Sequence, residues 1–140
     1  MRSLQEYVDL IARVVEYSEA ESAEIDVEQD PTASKVKGAL YFRDGSRLEF
    51  TETVTLERYR PVKLYYVYQY ISGGAAIFRY DNAPHHPDLS TFPHHKHVGK
   101  ARLPATEPTL SHVVSEVAAL LSENPKGPSG RPKRRRRTKR

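Results

Sequence analysis

The chain has no cysteine. Disulfides and thiolate metal sites are therefore excluded, while catalysis by other side chains is not. No stretch approaches the roughly 18 consecutive apolar residues of a membrane span. The opening residues, MRSLQEYVDLIARVVEY, are amphipathic and lack the continuous apolar run of a signal peptide. A soluble, cytoplasmic protein with no membrane partner is expected. Internal repeats are absent. Only 38 % of the 140 residues are hydrophobic, below the globular average, so part of the chain stands outside a core.

That part is the C-terminus. Residues 125–140 hold nine of the 22 Lys and Arg residues and no acid, aromatic or large aliphatic side chain. Residues 1–124 then carry 13 bases against all 18 acids, a balance of −5. The net charge of +4 averages an acidic body and a basic tail. The division expected is one domain over 1–124 and a disordered tail over 125–140.

Within the body, Ser3 and Glu6 have capping-box spacing. Leu4, Tyr7, Val8, Ile11, Val14 and Val15 follow as one apolar stripe of a helix. Strand patterns come next. Ala23, Ile25 and Val27 alternate with acids, and Val36, Leu40 and Phe42 share one parity. Asp44-Gly45 marks a hairpin turn into RLEFTETVTLE. VKLYYVYQYI and AAIFRY flank the turn Ser72-Gly73-Gly74. Leu110, Val113, Val114, Val117, Leu120 and Leu121 form a second helical stripe, with Thr106 or Thr109 as cap and Asn124-Pro125 as stop. The class expected is α+β: an antiparallel meander of about five strands with an N-terminal and a C-terminal helix.

Six of the nine tyrosines fall between Tyr59 and Tyr80. They suit half-buried strands, and they would also serve as a stacking surface for bases. The first reading is favoured. Beyond Tyr80 the chain reads as an irregular, proline-rich loop holding five of the six histidines: His85 and His86, then His94, His95 and His97.

Imidazole exchanges protons near neutral pH. Cleavage of RNA by transesterification needs a base for the 2′-OH, an acid for the leaving 5′-oxygen, and cations for the phosphate. One histidine from each clump, with Arg79 or Lys96 beside them, would meet that need without a metal or other cofactor. Alternatively, His95 and His97, two apart on extended backbone, would join His85 or His86, and Asp81 or Asp88, around Zn²⁺ or another divalent ion, the histidine set being His86, His95 and His97 where one is chosen. No HExxH or similar signature supports a particular metal. A third reading is a structural loop whose rings pack on proline.

The stretch RYDNAPHHPDLSTFPHHKHVG resembles the signature of the TumE family, toxins of prokaryotic type II toxin–antitoxin systems. A strand ending in R-x-D-N runs into P-H-H and then S-T-x-P-H-H-x-H. Arg79, Asp81, Asn82, Pro84, His85, His86, Ser90, Thr91, Pro93, His94, His95 and His97 all match. The resemblance extends over about 1–122 and implies a growth-inhibiting toxin with a cognate antitoxin. Small toxins with a sheet and flanking helices are often ribonucleases, which by analogy of architecture favours RNA as substrate. The candidate catalytic set is His85, His86, His94, His95, His97, Arg79, Lys96 and Asp81. Homo-oligomers stay open.

In the tail, Arg131, Lys133, Arg134, Arg135, Arg136, Arg137, Lys139 and Arg140 read as a phosphate-seeking arm. It has a rival partner in the acidic stretch from Glu16 to Asp30. That stretch would equally receive a basic antitoxin segment.

Overall fold

A computed structural model describes residues 1–85, 87–123 and 137–139. Two helices cover one face of a sheet whose other face is open. Helix α1, Leu4–Glu16, starts as its sequence dictates: Ser3 Oγ accepts the Glu6 N–H at 3.2 Å. Tyr7, Val8, Ile11, Ala12 and Val15 are its buried stripe. Helix α2, Leu110–Glu123, buries Leu110, Val113, Val117 and Leu121. Of the two candidate caps, Thr109 acts, its hydroxyl accepting the His112 N–H at 3.1 Å.

The expected five-strand meander is present as β1 Ser22–Gln29, β2 Ser34–Tyr41, β3 Arg47–Glu57, β4 Arg60–Ser72 and β5 Ala75–Asp81. Gly45, Gly73 and Gly74 take the positive φ that their tight turns require. Between β3 and β4 the same geometry falls on Arg58 and Tyr59, with φ of 49° and 64°.

Two further strands correct the expected number. β6 is His95–Val98 and β7 is Ala101–Pro104, joined by a turn with Gly99 at φ 59°. The end of the stretch read as an irregular loop therefore enters a hairpin that extends the sheet beyond β5. These strands are four residues each, too short for a period to show. A third short strand, β8, Arg137–Lys139, lies parallel to β1 at the opposite edge. The spatial order is β7-β6-β5-β4-β3-β2-β1-β8. Apart from Arg137–Lys139, the tail expected to be disordered over 125–140 lies outside the described residues.

Four of the six tyrosines between Tyr59 and Tyr80 belong to the core, while Tyr59 and Tyr65 are exposed. Tyr66, Tyr68, Tyr70 and Tyr80 are buried beneath the helices, so they form no platform for bases. They are not purely apolar filling, however. Glu52 on β3 is 0 % exposed and accepts hydrogen bonds from the hydroxyls of Tyr7 and Tyr68. Lys63 Nζ donates to Tyr68 Oη at 2.7 Å and to the Pro108 carbonyl, which pins the approach to α2 onto the sheet. Burial lowers the Lys63 pKa from its ordinary value.

Burial also raises the hydroxyl pKa of Tyr7 and Tyr68 well above 10, and the charge of Glu52 adds to the shift. A group with a raised folded pKa contributes stability that is whole below its unfolded pKa and is lost as pH rises past it. Stability should therefore hold at pH 8 and fall above about pH 10, with a slope approaching 2.7 kcal/mol per pH unit for two tyrosines. Urea midpoints across that range check this. A midpoint unchanged at about pH 11 would show that the hydroxyls are not protected from ionisation.

Candidate active site

The site is built where β5 meets β6. Their register sets Arg79 opposite His97, Tyr80 opposite Lys96 and Asp81 opposite His95. Residues directly opposite share a face, and alternate residues change face. Arg79, Asp81, His95 and His97 therefore meet on the open face, while Tyr80 and Lys96 point to the helices.

Asp81 is the hub. It is only 2 % exposed, and such a carboxylate needs partners. Oδ2 lies 2.9 Å from Arg79 Nε and 3.6 Å from His97 Nε2. Oδ1 accepts the Ala83 N–H at 3.0 Å and lies 2.9 Å from His95 Nε2. The last contact has the length of an ion pair without the alignment of a linear hydrogen bond, so its attraction is chiefly electrostatic. His95 is likewise 2 % exposed, and its Nδ1 lies 2.9 Å from the Pro93 carbonyl. Both ring nitrogens thus face acceptors. His95 cannot reach a large substrate. What it does is support His97, whose ring it meets edge-on at 4.8 Å between centroids.

The surrounding motif residues hold this hub in place. Asn82 continues the β4–β5 ladder with its side chain: Oδ1 accepts the Tyr66 N–H at 3.0 Å, and Nδ2 donates to the Leu64 carbonyl at 3.2 Å. Thr91 closes the turn into β6. Its hydroxyl donates to the His94 carbonyl at 2.6 Å and accepts the Ala105 N–H at 2.9 Å.

The outer layer is accessible. Arg79, Asp81, Ala83, His85 and His97 line a depression of about 300 Å³. The His97 side chain is 32 % exposed and that of Arg79 43 %. A histidine from each clump thus borders one pocket. His97 is also opposite Arg102 on β7, so the open face presents the cross-strand row Arg79–His97–Arg102. Sequence reasoning does not single out Arg102; the alternation of His95, Lys96 and His97 before Gly99 is the only hint of a hairpin that would bring it there.

Not all candidates converge. His94 lies on the helix side, its ring stacked on Tyr66 at 5.8 Å with Nδ1 2.9 Å from the tyrosine hydroxyl. Lys96 donates to Glu116 Oε2 at 2.6 Å and sits over the rings of Phe78 and Tyr80. Burial acts to lower its pKa, but the hydrogen bonds to Glu116 and Tyr80 outweigh it and hold the pKa above the ordinary lysine value. Both residues are walled from the depression by the sheet. His86 lies outside the described residues. The carboxylate brought to the histidines is Asp81, not Asp88.

The family model described as Toxin TumE matches residues 9–123. The chain belongs to the TumE toxin family. No curated protein and no solved structure matches it. As a TumE toxin it has an antitoxin as its implied partner. Among the described residues no helix is long and apolar enough to cross a membrane. The residues that match the TumE signature by sequence fall into two groups in space. Arg79, Asp81, His85, His95 and His97 gather at the candidate site, while Asn82 and Thr91 bond to backbone around it and His94 packs on Tyr66.

Proposed function

We propose that this TumE toxin is a ribonuclease of the cytoplasm that cleaves RNA by transesterification. The observation that carries the reading is the row Arg79–His97–Arg102 on the open face, with His85 on the same depression. His97 takes the 2′-OH proton. The carboxylate of Asp81 behind it stabilises the imidazolium as it forms, the role an aspartate has behind any histidine base. The 2′-oxygen attacks phosphorus, and the bond to the 5′-oxygen breaks as His85 protonates it. Arg79 and Arg102 stabilise the negative charge on the non-bridging oxygens. The products are a 2′,3′-cyclic phosphate and a free 5′-hydroxyl. The basic residues between Arg131 and Arg140 supply encounter with phosphates and take no part in proton transfer.

A second reading has its own support. Asp81, His95 and His97 each offer a ligand atom, all within 4.8 Å of one another. The donor set of two imidazoles and a carboxylate suits Zn²⁺ or a similar ion. The contact of His95 Nδ1 with a backbone carbonyl is what a metal-ligating histidine usually makes. One contact argues against it. Ligands at 2.0–2.1 Å from a tetrahedral ion sit about 3.3 Å apart, and the 2.9 Å between Asp81 and His95 is closer than that. On this reading the protein is an interaction module rather than a nuclease.

The two readings compete for one ring, that of His97, so a single experiment separates them. Purified protein is incubated with total RNA, with and without a chelator, and with added Zn²⁺. Defined fragments ending in cyclic phosphate, unaffected by chelator and suppressed by Zn²⁺, are expected. Stoichiometric metal with no cleavage would move the assignment to the second reading.

A further inference from the structure

The sheet ends on one side in β1, whose outward residues Glu24, Asp26 and Glu28 are all exposed. On the neighbouring strand β2, Lys37 stands opposite Asp26 and Lys35 opposite Glu28. Opposite Glu24 stands Ala39. Two of the three acids thus have a cationic cross-strand neighbour from within the sheet, and Glu24 does not. From the outer side, the register of β8 brings Lys139 opposite Glu24 and Arg137 opposite Ser22. A base and an acid at facing register positions favour a strand pair, and the backbone ladder adds direction.

We infer that the acidic edge of β1 is a docking edge for this chain's own Arg- and Lys-rich C-terminal segment, which adds to it as a strand. The occupant is identified by three observations: the β8 register, the acid left for it at Glu24, and the concentration of nine bases in 125–140. Residues 124–136 can span roughly 40 Å when extended, enough to cross a small domain. Docking has two consequences. It covers part of an edge that would otherwise invite pairing with another chain. It also holds the arm five strand spacings from Asp81, roughly 24 Å away, so bases engaged at β1 are withdrawn from RNA phosphates. Acidic edge and nucleic acid compete for the same arm. This inference is independent of the cleavage chemistry.

The cysteine-free sequence gives a direct test in the full-length chain. Parallel neighbours are about 4.8 Å apart, within the Cα range of a disulfide. The double variant Ser22→Cys with Arg137→Cys should close an intramolecular disulfide under mild oxidation. It should do so at least about tenfold faster than Gln29→Cys with Arg137→Cys, whose sites are roughly 23 Å apart along β1, because docking raises the effective thiol concentration. Adding Glu24→Lys, or working in about 1 M salt, should bring the matched rate down to the mismatched one. A single-stranded RNA oligonucleotide should slow closure as well. Equal rates for the two pairs, or disulfides only between molecules, would overturn docking in cis. Closure indifferent to RNA would overturn the competition.

Discussion

Replacing His97 by alanine should lower RNA cleavage by about 10²-fold or more, the usual loss when a general acid or base is removed, while the protein stays folded. The ring is partly exposed and its contacts are with Asp81 and the edge of His95, so its loss opens the depression without emptying a core. His85→Ala should fall in the same range, because His85 lines the depression from the exposed side. Activity against pH should be bell-shaped in the imidazole range, and each single variant should lose one limb. Arg102→Ala should slow the chemical step with little change in the pH profile, since a guanidinium stays charged throughout. Full cleavage by a variant lacking the five clustered histidines would sink the enzymatic reading. Loss of cleavage in His97→Ala accompanied by unfolding would mean that His97 is structural.

His95 separates the same alternatives from the other direction. It is buried against a buried carboxylate, and removing one partner of such a pair costs about 3–5 kcal/mol. His95→Ala is therefore expected to lose stability first and activity as a consequence, the reverse of His97→Ala. Two histidines separated by one residue thus have different roles, although both project to one face. The difference lies in depth: His97 is at the mouth, and His95 is under it.

That division shows what the sequence made legible. Parity along an extended strand was enough to say that His95 and His97 share a side, and the R-x-D-N pattern marked Asp81 as near them. Both helices and the five-strand meander were likewise visible, because apolar residues recur at 3.6 or 2 over segments long enough to count. Burial depth has no such periodic signature. Nothing local distinguishes His95 from His94 or His97; Asp81 and the Pro93 carbonyl do, through pairing across strands. Lys96 looked like a phosphate ligand because it sits among histidines, yet alternation sends it through the sheet to Glu116. Arg102 was hidden for the opposite reason, since it is recruited by a hairpin of two four-residue strands. The turn at Arg58-Tyr59 was equally silent, because it takes a positive-φ geometry without the Gly or Asn that usually announces it.

On the covered face, Glu52→Ala should destabilise the protein by about 3–5 kcal/mol, as removal of one partner from a buried polar cluster does. The carboxylate is fully buried and accepts from Tyr68 Oη at 2.5 Å and from the Tyr7 hydroxyl. Its removal leaves two buried hydroxyls without that acceptor and Lys63 without the nearby negative charge. The two donors come from α1 and β4, and Lys63, also on β4, ties the cluster to the approach to α2 through Tyr68 Oη and the Pro108 carbonyl. The loss should therefore loosen both helices together rather than one. Glu52→Gln keeps the shape and one acceptor oxygen and should cost less, about 1–2 kcal/mol. A double-mutant cycle of Glu52→Gln with Tyr7→Phe should show coupling of about 0.5–3 kcal/mol, as expected for groups in one network. Urea unfolding supplies every term. A Glu52→Ala midpoint within about 0.5 kcal/mol of the parent would show that the cluster is not what joins helices to sheet. Cleavage per folded molecule should be unchanged in either variant, because Glu52 and His97 lie on opposite faces of the sheet.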